Sequence, residues 1–566
     1  MRALFRASLF AGMLLHGMVW TSSAEAQAGP KCRELLDSKI NADRIGLPTR
    51  GATITRTQFV AAPAVGAYPY CLISGEIAPV DPAAPNIEFQ VALPSNWNEK
   101  ALMLGGGGFG GVIQPVAGSF RLAPPKTPTP LALGYAVFAS DSGHQAETPA
   151  GSPMSLVDGS SALNAGFLGN MESYRNYMGD AVKKTRDVAM AVIEAAYGRG
   201  PRRSYFHGGA KGGGEAIMAA ARWPEDWDGV AAWSPGRDWV LNILGVLRSA
   251  QSLAAPGAYL NLAQRGALHD AAMETCDGLD GLRDGIISNE KGCRLRFDPA
   301  KALLNGVPLR CPDERETQAI CLTDAQIGAV KQIEAPTTFG FMPDGQNAFP
   351  GFNMLTADLG GSRDSPLSPL VSALTMGMTA PTFPSTDGNW MGASMVARYF
   401  RFGVARNNSF DALRLNLADP GPLVPRLLEL AQLDSGDHDL SGFVKRGGKM
   451  ILLHGTGDML VSPRATERYV ETLRAKMGAD VVGRFMRFYE IPGFGHDIST
   501  VFNARVDDLA LLDAWVERGD DPGEKVIVAE TGHNGRSRPL CLYPHWPKYK
   551  GSGSPDAAAS FICAQH

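Results

Sequence analysis

The segment Gly208-Gly209-Ala210-Lys211-Gly212 has the spacing of G-x-S-x-G, with alanine where the serine would stand. In that pattern a sharp strand-to-helix turn exposes a hydroxyl for attack on a carbonyl carbon. The glycines suit such a turn, because residues beside the nucleophile crowd the neighbouring backbones. Leu453-His-Gly-Thr-Gly-Asp458 reads as a strand ending in an acidic turn, and Ile491-Pro-Gly-Phe-Gly-His496-Asp497 places a histidine in a glycine-rich turn after the next strand. Nucleophile, acid, then histidine is the chain order of this arrangement. Asp458 would hold the imidazole tautomer, and His496 would take the proton of a nucleophile. Gly105-Gly-Gly-Gly-Phe-Gly-Gly111 can offer backbone N–H groups, Gly108 among them, to a developing alkoxide together with the N–H of Lys211. The chemistry implied is acyl transfer, and Ala210 removes its attacking atom.

These residues need strands that end side by side. Ile87–Leu93 alternates like a strand, Ala101–Leu104 is a short apolar strand running into the glycine loop, and Gly134–Ser140 is another. Met178–Tyr197 has helical composition and leads to the strand Ser204–Phe206, and Glu215–Arg222 is a helix closed by Trp223-Pro224. The same alternation returns in Lys449–Leu453, Pro463–Lys476 and Phe485–Glu490. Strand and helix in turn predict an α/β fold: a doubly wound, mainly parallel sheet. Between Gly236 and Lys445 the pattern lapses into proline- and glycine-rich stretches with scattered aromatics, which predicts a large inserted lid over the strand ends. The expected organisation is a leader at 1–28, a catalytic domain from 29–235 and 446–566, and a lid domain at 236–445.

Arg2 and Arg6, the apolar run Leu9–Val19 and the small residues of Ala24-Glu-Ala-Gln-Ala28 read as a secretory leader, too short an apolar run to span a membrane comfortably. A secreted or periplasmic protein follows as the expectation. The formal net charge of −4 and the lack of a basic stripe leave no footprint for nucleic acid. The 8 cysteines suit an oxidising compartment, and none has a CxxC or Cys/His metal spacing. Spacing does not fix their connectivity. Neighbour pairing is the simplest choice: Cys32–Cys71, Cys276–Cys293, Cys311–Cys321 and Cys541–Cys563.

Leu93-Pro-Ser-Asn-Trp-Asn98, Asp141-Ser-Gly-His144, Tyr205-Phe-x-Gly208, Arg222-Trp-Pro-Glu-Asp-Trp-Asp-Gly229, His454-Gly-x-x-Asp458, Pro492-Gly-x-Gly-His496 and Arg538-Pro-Leu-Cys541 occur in that order. Together they make a chain that resembles the tannase/feruloyl esterase family of α/β hydrolases over nearly its whole mature length. The resemblance implies a Ser-His-Asp carboxylic-ester hydrolase acting on small aromatic esters, with no organic cofactor. It also implies a structural Ca2+ in the lid loop Cys276–Ile286, held by Asp277, Asp280, Asp284 and the carbonyls of Leu282 and Ile286. Carboxylates in a glycine-bearing loop suit a hard cation, and the plain alternative is a solvated acidic turn. The family pattern has a cysteine before the serine and another after the histidine, joined as a disulfide. Here those positions are Gly209 and Asp497, and the serine position is Ala210.

Three readings of Ala210 follow from the sequence. The chain is an esterase with its nucleophile replaced, a serine-less enzyme working through the His496–Asp458 dyad as lyase, isomerase or water-directing hydrolase, or a binding homologue without catalysis. His144, His207 and His454 read as structural, Ser142 and Ser234 lack the elbow context, and the Lys211 side chain is expected to point away from the site. Phe339, Phe349, Trp390, Tyr399 and Phe400 read chiefly as lid core, and Arg401 as a possible partner for a substrate carboxylate.

Overall fold

The computed structural model describes residues 32–62, 68–119, 122–146, 165–312, 320–360, 365–386, 388–434, 439–532 and 535–565. The leader expected at 1–28 lies outside them. One sheet of ten strands organises the chain. Its strands are β1 (Lys39–Ile40), β2 (Ala52–Val60), β3 (Tyr70–Ile77), β4 (Ile87–Pro94), β5 (Lys100–Leu104), β6 (Ala136–Ser140), β7 (Arg203–Gly209), β8 (Gly229–Trp233), β9 (Lys449–Gly455) and β10 (Met486–Ile491). They lie in the order β1-β2-β3-β4-β6-β5-β7-β8-β9-β10. The pairs from β1 to β4, and β4 with β6, are antiparallel. Every pair from β6 onward through β5, β7, β8 and β9 to β10 is parallel.

Burial explains this division. β3 alternates buried and half-exposed residues along its length, as an antiparallel strand with one wet face should. β6 and β8 are buried at every position, because helices cover both faces there. Met103, Val230 and Leu452 share one core with residues of the helices Ala181–Tyr197, Lys211–Arg222 and Pro463–Met477. Leu102, Ala231 and Ile451, one position along each strand, join the opposite core with Leu509, Leu512 and Trp515 of the helix Asp508–Arg518. This is a doubly wound α/β-hydrolase sheet.

The chain between β8 and β9 adds no strand to that sheet among the described residues. Its helices include Trp239–Ala254, Leu262–Cys276, Asp324–Glu334, Met391–Arg398 and Val424–Asp434. They enclose a core of their own around Leu244, Leu268, Val330, Phe352, Trp390 and Leu427. That core runs on without a break into Phe109, Tyr174 and Tyr177 beside the glycine loop. The insertion is therefore seated on the strand ends by apolar packing. The four disulfides join Cys32–Cys71, Cys276–Cys293, Cys311–Cys321 and Cys541–Cys563. Among the described residues no cysteine is free, and no helix is long and apolar enough to cross a membrane.

Candidate active site

Ala210 sits at the corner between β7 and the helix Lys211–Arg222 with φ 52° and ψ −119°. A non-glycine residue at positive φ is strained, so surrounding bonds must hold it. The Ala210 N–H donates to Trp233 O at 2.9 Å, and its carbonyl accepts from Gly236 N at 2.7 Å and Gly214 N at 3.1 Å. The corner closes only because two glycines let backbones touch. A β-carbon on Gly208 would stand 2.3 Å from Gly212 O, and one on Gly212 would stand 2.3 Å from Gly106 O. Gly212 N donates to that same Gly106 O at 2.7 Å, which ties the glycine loop to the first turn of the helix. Glycine costs a helix interior about 1 kcal/mol relative to alanine. The helix nevertheless begins at Lys211 rather than at Glu215, because close backbone approach outweighs propensity.

The acid and the base meet as the chain order implies. His496 Nδ1 lies 2.7 Å from Asp458 Oδ2. A carboxylate only accepts, so Nδ1 carries the proton in this bond. Asp458 is fully buried. Its other oxygen accepts from Leu460 N at 2.8 Å and Val461 N at 3.0 Å. Burial alone would raise this carboxyl, but the charges and hydrogen bonds of His496 and His454 outweigh it and hold the group well below its ordinary value. Asp458 is thus a fixed anion.

His454 is more than a turn residue. Its Nε2 stands 3.3 Å from Asp458 Oδ2 and 3.1 Å from Val461 O, and its Nδ1 is 2.9 Å from Thr466 Oγ1. The Val461 carbonyl and the Asp458 carboxylate only accept, so Nε2 carries a proton. The only sequence signal for this contact was the spacing His454-Gly-x-x-Asp458, in which each residue flanks the end of β9.

Ala210, His496 and Gly108 line one cleft with Trp239, Asn242, Ile243 and Val246 of the first insertion helix and Met391, Gly392, Met395 and Val396 of a later one. Leu460 and Val461 of the acid turn complete it. A hydroxyl on the β-carbon of residue 210 would open into the same space as the His496 ring. Gly108 has φ 57°, and its carbonyl is taken by the Tyr177 hydroxyl at 3.0 Å. The Lys211 N–H is the first of its helix and has no intrahelical acceptor. The Lys211 side chain turns away into the protein, where its Nζ donates to Tyr177 O at 2.9 Å and Glu215 Oε1 at 3.1 Å.

The remaining sequence candidates lie elsewhere. His207 Nε2 is 2.9 Å from Asp508 Oδ2, which also accepts from Trp233 Nε1 at 2.7 Å, a bonded group behind the sheet. His144 stacks on Phe167 with ring centroids 3.6 Å apart. Arg401 lies over the rings of Phe383 and Phe402 and does not line the cleft. In the acidic loop, Asp277 accepts from Gly285 N at 3.2 Å and Asp280 from Leu282 N at 2.9 Å. Asp284 pairs with the Arg538 guanidinium. Among the described residues no three His, Cys, Asp or Glu side chains are gathered closely enough to hold a metal ion. Asp280 Oδ2 is nonetheless buried without a hydrogen-bond partner, an acceptor that fits a cation. Asp277 and Asp280 therefore suit a hard cation, and Asp284 beside them is paired with Arg538.

Comparison with known proteins extends over the same residues. The family profile described as Tannase and feruloyl esterase matches residues 71–564. An uncharacterized esterase of Agrobacterium fabrum is 36% identical, over 96% of this chain and 94% of its own. The mono(2-hydroxyethyl) terephthalate hydrolase of Piscinibacter sakaiensis is 30% identical, over 88% of this chain and 85% of its own. Among solved structures, feruloyl esterase B from Aspergillus oryzae shares the fold with a TM-score of 0.71 at 20% identity, over 92% of this chain and 98% of its own.

Proposed function

The chain belongs to the tannase and feruloyl esterase family of carboxylic ester hydrolases, and on that premise we propose a secreted hydrolase of small aromatic esters whose nucleophile position is occupied by Ala210. One observation carries the reading: Ala210 holds a strained corner on the cleft that the Asp458-bonded His496 also lines. With serine at 210, Oγ would attack the ester carbonyl while His496 Nε2 takes its proton. Asp458 would stabilise the imidazolium, and the N–H groups of Gly108 and Lys211 would face the oxyanion. His496 would then return the proton to the leaving alkoxide and next activate water to release the acid. With alanine at 210 no acyl-enzyme can form, so this chain binds esters without that route to turnover. Secretion is supported by the leader residues and the four disulfides. We also propose a structural Ca2+ at Asp277 and Asp280 with the carbonyls of Leu282 and Ile286, Asp284 adding charge beside Arg538. Burial, with the charges of Asp284 and Asp277 adding to it, pushes the Asp280 carboxyl up to about 6, a penalty that a bound cation would remove.

The Ala210→Ser protein tests the reading. Its kcat/KM on a panel of aryl and hydroxycinnamate esters should exceed that of the Ala210 protein by about a thousandfold or more. A folded Ala210→Ser protein with no activity would sink the ester-hydrolase reading for this cleft. Strong activity of the Ala210 protein itself would favour water directed by the His496–Asp458 dyad.

A further inference from the structure

Two residues that line the cleft each carry a buried polar atom with no hydrogen-bond partner. Trp239 is 3% exposed and its Nε1 has no acceptor; Asn242 is 7% exposed and its Oδ1 has no donor. Both residues line the cleft. They stand three apart in the first turn of the helix Trp239–Ala254, so they share the face that Ile243 and Val246 continue along the same wall. The amide orientation is set by its other end: Asn242 Nδ2 donates to Leu460 O at 3.3 Å, which leaves Oδ1 as the free atom. The pair is therefore one donor and one acceptor, one helical turn apart, on a cleft whose other lining side chains apart from His496 are apolar. Buried polar groups without partners are rare in folded proteins, and in a binding cleft they mark where a ligand supplies the missing bond.

We propose that Trp239 and Asn242 are specificity-determining residues that read a neutral hydroxyl group on the substrate. This rests on the ester-hydrolase reading of the same cleft and adds to it the group recognised. A hydroxyl accepts from Trp239 Nε1–H with a lone pair and donates its own proton to Asn242 Oδ1, so it satisfies both atoms. A methyl group satisfies neither. A carboxylate accepts from the tryptophan but sets its second oxygen against the amide oxygen, and among the described residues no Lys or Arg lines the cleft to offset its charge. The cleft thus selects hydroxyl over methyl and over carboxylate at one position.

Calorimetric titration of the full-length Ala210 protein tests this. The probes are methyl 4-hydroxybenzoate and methyl 4-hydroxycinnamate, each against its 4-methyl and 4-carboxylate counterparts. The hydroxyl ester of at least one series should bind about tenfold tighter than its methyl counterpart, with the carboxylate weakest. Trp239→Phe keeps an aromatic ring, though a smaller one, and removes the donor; Asn242→Leu removes the acceptor along with the bond to Leu460. Each is read only as the hydroxyl-to-methyl selectivity ratio, which should fall toward one. Equal binding of hydroxyl and methyl esters in both series would overturn the proposal, as would tightest binding of the carboxylates. Kinetics of the Ala210→Ser protein on the same esters separates the two readings. Turnover without hydroxyl preference overturns this inference and leaves the ester hydrolase standing, whereas no binding and no turnover on any ester overturns both.

Discussion

His144 is buried against Phe167, and neither of its ring nitrogens has a hydrogen-bond partner. Burial pushes its pKa down to about 3, against an ordinary value near 6.5. The folded value lies below the unfolded one, so the neutral ring's contribution is fully present above about pH 6.5 and is lost as the pH falls toward 3. The His144→Phe protein should accordingly lose about 3 kcal/mol less stability than the parent between pH 7 and pH 4, measured by urea unfolding at each pH. Equal losses would mean that the ring finds a partner when charged. At this scale the sequence was informative where spacing carries chemistry. Ala210, Asp458 and His496 stood out because a strand, a turn and a fixed chain order frame each of them. The bond from His454 to Asp458 was hidden, since a histidine at a strand end has the same appearance whether it meets a carboxylate or a carbonyl. Trp239 and Asn242 were equally silent, because a tryptophan and an asparagine at a helix start are ordinary residues until their neighbours are known.

Elements built from long apolar runs were legible, and those defined by contacts with distant backbone were not. β4, β5, β9 and β10 announce themselves by alternation or by continuous apolar residues. β2 does not, because Arg56, Thr57 and Gln58 put polar side chains on both faces of its outer half, which is largely exposed. The elbow helix read as starting at Glu215 because Gly212, Gly213 and Gly214 argue against a helix, while tertiary contacts demand them. The same region supports a test of how the base is held. A β-carbon on Gly209 meets only Trp233 Cβ, at 3.9 Å, so a side chain fits there. Asp497 has φ 64°, which aspartate tolerates better than most residues. If the two positions correspond to the family's elbow-to-base bridge, their α-carbons lie within about 7 Å. The Gly209→Cys/Asp497→Cys protein should then oxidise to a fifth disulfide, seen as loss of free thiols in the folded state and a higher melting temperature. Thiols that stay free in air would place the two turns too far apart and remove the bridge from the comparison.

Across the whole molecule, the insertion and the C-terminal segment are tied at the acidic loop. Arg538 pairs with the Asp284 carboxylate and Arg536 donates to Asp284 O at 3.1 Å, while Cys276–Cys293 anchors the loop to the insertion. A Ca2+ at Asp277 and Asp280 would brace this junction. Metal analysis of protein purified without chelator should find about one calcium per chain, and chelator should lower the melting temperature by several degrees. No metal, with an unchanged melting temperature, would return the loop to an acidic turn held by its arginines.

The adjacency of β8 and β9 has a kinetic side. Gly229 pairs with Lys449, and Trp233 with Leu453, across the entire insertion. Loop-closure entropy grows only logarithmically with length, so the finished protein loses little by this connection. Speed is another matter, because pairings between distant segments form slowly. As the chain emerges from a ribosome, β8 is made long before its neighbour, and a strand buried at every position waits with one edge unpaired. The first half of the chain cannot close as an independent unit. The acid and the histidine both follow β9, so the catalytic arrangement cannot form until the chain beyond the insertion has been made. Premature truncation anywhere in the insertion should leave an aggregation-prone edge instead of a smaller working protein.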